Sequence, residues 1–172
     1  MHSDAPRAEP RSDGRADLIV LLAAAVVIYV ADQISKALIV ANIPVGGEIA
    51  VIGDLVQLWH AQNAGAAFSL FQGGQLLFFV VTILALGMIA YFHRSFRGQS
   101  RWLQLILGVV LGGTLGNLTD RIRLGYVTDF VSVGFGNTRF PTFNVADSAI
   151  TVGIGLLVLY LAFVDRRERA AA

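Results

Sequence analysis

Read from its amino terminus, the chain sets long apolar runs between short polar stretches, and the runs have the length of membrane spans. The first, LIVLLAAAVVIYVADQISKALIV, covers residues 18–40. Three more follow at 75–92, 102–118 and 146–164. A hydrocarbon core of roughly 30 Å needs about 20 helical residues to cross, so four transmembrane helices are predicted. The first run is too long for the apolar part of a signal peptide and contains Asp32 and Lys36, which argues for a retained span. Residues 1–17 mix both charge signs with two prolines and are expected to form a disordered tail. Residues 18–165 then make one four-helix membrane domain, and residues 166–172 a second tail.

Two of the stretches between the runs have a pattern of their own. Residues 43–71 carry a glycine pair and β-branched residues, and YVTDFVSVGF at 126–135 alternates in a strand-like way. Short strands joined by turns are expected there. Because backbone groups at membrane depth must be paired or face water, these strands should form a small sheet or cradle against one bilayer surface. The predicted fold class is therefore an all-α membrane protein, a four-transmembrane-helix bundle with a small extracytoplasmic β-cradle.

Arginine placement orients the bundle. Arg7, Arg11 and Arg15 precede the first run; Arg94, Arg97 and Arg101 lie between the second and third; Arg166, Arg167 and Arg169 follow the fourth. The stretch from 42 to 74 has no Lys or Arg, and that from 119 to 145 has Arg121, Arg123 and Arg139. With both termini cytoplasmic, nine arginines lie inside and three outside, as the positive-inside rule requires.

In that orientation the polar residues of the bundle gather at its outer face. The first helix brings Asp32 and Lys36 there, the third Asn117, Asp120 and Arg121, and the fourth Asn144 and Asp147 at its start; Asn63 and Asp129 lie in the outer loops. Intramembrane ionisable residues are costly and usually functional. Each also has a structural reading. Asp32 and Lys36 are an i,i+4 pair that can neutralise itself. Asn144 and Asp147 have the spacing of an N-cap and its N3 acid. Asp120 and Arg121 could be a helix-end ion pair, and Gly112 with Gly116 a close-packing GxxxG. Asp129 is harder to explain in this way, because its neighbours in VTDFV are apolar and no cation adjoins it.

Composition narrows the chemistry. Apolar residues are 55% and charged residues 15% of the chain, with mean hydropathy +0.66, against about 25% charged in soluble domains. The net charge of +1 gives no reason to expect nucleic acid as a partner. Without cysteine, no disulfide or thiolate site is possible, and His2, His60 and His93 lie in separate segments. Neither a metal nor another cofactor is expected.

Five blocks then carry a specific resemblance. They are ADQISK (31–36), NAGAAF (63–68), GGTLGNLTDR (112–121), GYVTDF (125–130) and FNVADSAI (143–150). In sequence and order they resemble the lipoprotein signal peptidases, or signal peptidase II. Thr128 stands where members of that family often carry valine. The resemblance implies four transmembrane helices with an extracytoplasmic β-cradle, in the bacterial cytoplasmic membrane. It implies cleavage of diacylglyceryl-modified prolipoproteins just before the lipidated cysteine, with substrate and membrane lipid as partners and a monomer as the working form. It also implies that Asp129 and Asp147 are the catalytic pair, a choice over Asp120 that spacing alone leaves open. Asp32, Lys36, Asn63, Gly65, Asn117, Asp120, Arg121, Asn144 and Ala146 become supporting or substrate-binding residues.

Chemistry accords with that assignment. Peptide hydrolysis needs an activated nucleophile and a proton donor, and two adjacent carboxylates that share one proton supply both. Asp129, among apolar neighbours, is the expected proton holder. A small transporter would also place carboxylates in the membrane, but it calls for a polar path across the bilayer or an inverted repeat, and the inner halves of the four runs offer neither. A scaffold protein would leave the gathering of four aspartates at one depth unexplained.

Overall fold

The structure, a computed structural model, describes residues 14–65, 74–98 and 100–171. Its elements are α1 (Gly14–Asn42), β1 (Glu48–Ile52), β2 (Val56–Asn63), α2 (Gly74–Ser95), α3 (Arg101–Leu124), β3 (Val127–Phe135), β4 (Thr138–Arg139) and α4 (Val145–Ala171). All four helices are long and apolar enough to cross a membrane. Large apolar side chains such as Val27, Ile83 and Val158 are exposed on their outer surfaces, which only a lipid solvent makes favourable.

Helix α3 is the axis of the bundle, and small residues let its neighbours approach. Gly108, Gly112 and Gly116, four residues apart, face α1. A Cβ on Gly112 would lie 2.5 Å from the Ala25 carbonyl oxygen, and one on Gly116 would overlap the Asp32 carboxylate. The expected GxxxG packing is therefore present, with one glycine of it reserved for a charged group. Away from the sheet, Leu21, Ile89, Leu103, Leu107 and Val110 form the core. Fully buried Gln104 adjoins it, its Oε1 2.7 Å from His93 Nδ1 and its Nε2 without a hydrogen-bond partner among the described residues. This polar pair interrupts the half of the bundle that the sequence presents as featureless.

The strands form one antiparallel sheet in the order β1-β2-β3-β4. Leu58 pairs with Val131, and after a bulge Ala61 pairs with Asp129 and Asn63 with Val127. Within the bulge, His60 bonds through its own backbone to Gly46 and Gly47, and its Nδ1 lies 2.7 Å from the Ile43 carbonyl oxygen. Together with the cluster of Ile39, Ile43 and Phe130, this fixes the sheet to the end of α1.

The element ends depart from the apolar runs. Helix α1 begins at Gly14, so residues 14–17 are helical and only 1–13 of the expected tail lie outside the described residues. Asp17 explains the early start: it is fully buried in the first turn and accepts from the Gly98 amide at 2.6 Å. An acid there also suits the helix dipole. Helix α3 passes Leu118 and stops at Gly125, whose left-handed φ of 79° supports a C-cap bond to the Arg121 carbonyl. Helix α4 runs on through residues 165–171, mostly Arg, Glu and Ala, which are good helix formers. Hydropathy marks where lipid ends, and the helices end where propensity and caps stop them.

Candidate active site

Asp129 and Asp147 reach the same place from different elements, and Asn144 joins them. Asn144 caps α4: its Oδ1 accepts from the Asp147 amide at 2.9 Å, and its own amide donates to Asp147 Oδ2 at 3.2 Å. This is a reciprocal capping box. The Asn144 side-chain amide also donates to Asp129 Oδ1 at 2.8 Å and to Asn117 Oδ1 at 3.1 Å. One fully buried residue thus makes both the cap and the link to Asp129, and the cap that the Asn144–Asp147 spacing predicts is present.

Each carboxylate has a further asparagine. Asn63 Nδ2 donates to Asp129 Oδ2 at 2.9 Å, while its Oδ1 accepts from the Gly65 amide, also at 2.9 Å. Gly65 permits that turn through a φ of 79°, and a Cβ there would lie 2.6 Å from the Phe78 ring. Positions 66–68 of the NAGAAF block lie outside the described residues. Asn117 Nδ2 donates to Asp147 Oδ1 at 2.7 Å. Burial pushes the Asp129 carboxyl up to about 6, and the nearby Asp147 charge adds to this, while the bonds from Asn63 and Asn144 oppose it.

Behind the pair lies a second charged group. Lys36 Nζ meets Asp32 Oδ2 at 2.8 Å, Asp120 Oδ2 at 3.0 Å and Asn117 Oδ1 at 3.0 Å, so all three of its donors are used. The three ionised residues are at most 5% exposed. Asp32 Oδ1 accepts from the Ala146 amide at 3.0 Å, bringing a first-turn amide of α4 to bear on its charge. Asp120 Oδ2 also accepts from the amide of Thr128, the residue before Asp129, at 3.2 Å.

Not every expected pairing is present. Asp120 takes Lys36 as its cation, not Arg121, because consecutive helical residues do not face one another. Arg121 instead donates to the Asn117 carbonyl oxygen at 3.3 Å and places its guanidinium carbon 4.2 Å over the Phe78 ring. Sequence reasoning missed Gln33, whose Nε2 spans Asp32 Oδ2 and Asp120 Oδ1 at 3.2 Å each. Its place beside Asp32 on a lipid-crossing helix is the signal that would have found it. Among the described residues, no three His, Asp or Glu side chains group as a metal site.

A cavity of about 270 Å³ opens at Asp147 between α2, α3 and α4, bounded by Thr82, Thr114, Asn117, Arg121 and Ile150. A second, of about 230 Å³, reaches down to Met88, Phe92 and Leu157 and shares Val81, Ala85, Val110 and Ile154 with the first. Together they make a largely apolar groove with Asp147 at its head.

Comparison with known proteins identifies the family. The profile of the family described as "Signal peptidase (SPase) II" matches residues 24–163. The lipoprotein signal peptidase of Dehalococcoides mccartyi strain BAV1 is 49% identical over 136 residues, 76% of this chain and 82% of that one. That of Shouchella clausii is 39% identical over 145 residues, 84% and 94% of the two chains. A bacterial membrane enzyme solved by the in meso method at 1.9 Å superposes with a TM-score of 0.75 at 31% identity, over 82% of this chain and 91% of that one. Four spans, an antiparallel sheet at one end, paired aspartates beneath it and these similarities along most of the chain place it in the signal peptidase II family.

Proposed function

We propose that the chain removes signal peptides from diacylglyceryl-modified prolipoproteins as an aspartic endopeptidase, cutting before the lipidated cysteine, with Asp129 and Asp147 as the catalytic pair. The observation that carries this reading is the shared Asn144, which holds one oxygen of each carboxylate beside an apolar groove that Asp147 heads. Two acids so coupled keep one proton between them. Asp129, the desolvated member, holds it in the free enzyme.

The reaction then divides simply. Asp147 takes a proton from water as the water oxygen attacks the scissile carbonyl carbon, and Asp129 gives its proton to the carbonyl oxygen. Collapse of the tetrahedral intermediate breaks the C–N bond and returns a proton to the leaving amine. Asn63, Asn117 and Asn144 fix the carboxylates without adding charge. The groove is about 21 Å long if measured along α2 from Phe78 to Phe92 at 1.5 Å per residue. A signal helix fits that length, with its C-terminal end delivered to the pair.

The charge pattern supports termini in the cytoplasm and a site near the outer face of the bacterial cytoplasmic membrane. Incubating the purified protein with a diacylglyceryl-modified lipobox peptide tests the activity. Cleavage before the modified cysteine is expected, and failure to cut, or equal cutting of the unmodified peptide, would overturn the reading. Activity should also survive a chelator; a loss restored by zinc would refute the aspartic mechanism.

A further inference from the structure

We propose that a notch on the opposite side of Asp147 seats the acyl chains of the substrate's diacylglyceryl group, so that the pair cuts where the groove between α2, α3 and α4 meets a seat on the outer side of α4. The proposal rests on the functional reading above and specifies where the lipid half of that substrate lies. The notch is a cavity of about 340 Å³ lined by Phe140, Phe143, Asp147, Ser148, Thr151 and Val152. Asp147 borders both it and the groove.

Helical geometry explains the division. Ile150 and Ile154 follow Asp147 by three and seven residues and share its groove-side face. Ser148, Thr151 and Val152 follow by one, four and five, and occupy the adjoining face turned away from α3. A substrate centred on Asp147 therefore has a different surface on either side of its cut bond. The groove side is bounded by three helices and suits a helix. The notch side opens outward, with Val152 58% and Phe140 65% exposed, and in a membrane that opening faces acyl chains.

The notch is also built and apolar. Phe140 and Phe143 meet edge to face with centroids 6.0 Å apart. Phe143 is tied to β3 by backbone bonds to Phe130 and Val131 of 2.7 to 3.1 Å. The Ser148 hydroxyl is turned back to the Asn144 carbonyl oxygen at 3.0 Å. A further cavity, beside α1, is lined by Lys36, Asp120 and Arg123 and cannot take hydrocarbon without stripping charges of their solvent.

The test crosses substrate chain length with two substitutions, using the full-length enzyme in nanodiscs. Substrates are one lipobox peptide bearing two sixteen-carbon or two eight-carbon acyl chains. Val152→Trp fills the notch and Val81→Trp fills the groove; both positions are more than half exposed, so folding is spared. Wild type should prefer the longer chains. Val152→Trp should lower that preference in kcat/KM several-fold, through lost packing contacts in the notch, because the free substrate's chains already lie in lipid and gain no transfer energy from water. Val81→Trp should raise KM equally for both substrates. If Val81→Trp erases the preference and Val152→Trp keeps it, the chains lie in the groove and the proposal falls. It falls equally if neither substitution alters the preference, since the chains then rest in bulk lipid. Failure of wild type to cleave either substrate would instead remove the functional reading itself.

Discussion

In the proposed mechanism the carboxylates of Asp129 and Asp147 bind protein donors and also do chemistry, so stability and activity separate there. Asp129→Asn and Asp147→Asn preserve shape but can neither activate water nor exchange the shared proton. General acid–base catalysis is worth about 10² to 10⁴ in rate, and each variant should lose at least the upper end in a peptide-cleavage assay. Asp129 carries a second consequence. Its proton is held more tightly in the folded protein, up to about 6 against an ordinary 3.8. The native state therefore binds more protons than the unfolded chain between those values, and stability falls as pH rises through them. Above that window Asp129→Asn, which never ionises, should unfold at a temperature no lower than wild type while remaining inactive. Activity that needs protonated Asp129 should decline on the alkaline side with an apparent pKa near 6. Asn63→Ala removes a donor that stabilises the ionised form, so it should move that decline to higher pH. A decline moved to lower pH, or unmoved, would remove Asp129 as the proton holder.

Between elements, the largest cost of this fold is the charge group that joins α1, α3 and the start of α4. Lys36→Met would leave Asp32 and Asp120 buried without their cation. Breaking a buried pair from one side costs about 3–5 kcal/mol, so the variant should lose most of its thermal stability in detergent as well as its activity. Asp120→Asn keeps an acceptor for the Thr128 amide and for Lys36, and should retain reduced but measurable turnover in folded protein. These elements also mark the limit of what the sequence reveals. The four spans and their order follow from hydropathy, because a membrane forces every backbone bond into a helix. The strands at 48–63 and 127–135 follow from alternation and turn residues. Spacing does reveal the Asp32–Lys36 pair and the Asn144–Asp147 cap, since both are local. It does not reveal that Lys36 reaches Asp120 and Asn117, 84 and 81 residues away, or that Gln33 spans two carboxylates. Those contacts depend on the rotation of α1 against the glycine stripe of α3, which no local pattern encodes. The same holds for Arg121, whose partner by adjacency is Asp120 and whose partner in space is the Phe78 ring.

Over the whole molecule, the polar groups are asymmetric along the bundle axis, and function requires that asymmetry to match the membrane's. The sheet, the paired aspartates and the Lys36 group lie at one end; Asp17, held by the Gly98 amide, and the turn carrying Arg97 lie at the other. The proposed orientation, drawn from the arginine distribution, puts the second end in the cytoplasm. Reporter fusions after residue 55 and after residue 97 separate the alternatives, because the first joins β1 to β2 and the second joins α2 to α3. Opposite compartments are expected, with the fusion after 55 outside and that after 97 inside. The reverse assignment would point the aspartate pair toward the cytoplasm, where no translocated, lipid-modified cysteine is presented. Both fusions on one side would mean that α2 does not span, and the groove it walls could not hold a signal helix. A correct insertion makes the two surfaces of α4 meaningful together. One turns into the groove toward α2, the other out to lipid, and Asp147 stands at their edge, which under the proposed function is the depth where a signal helix ends and its lipid anchor begins.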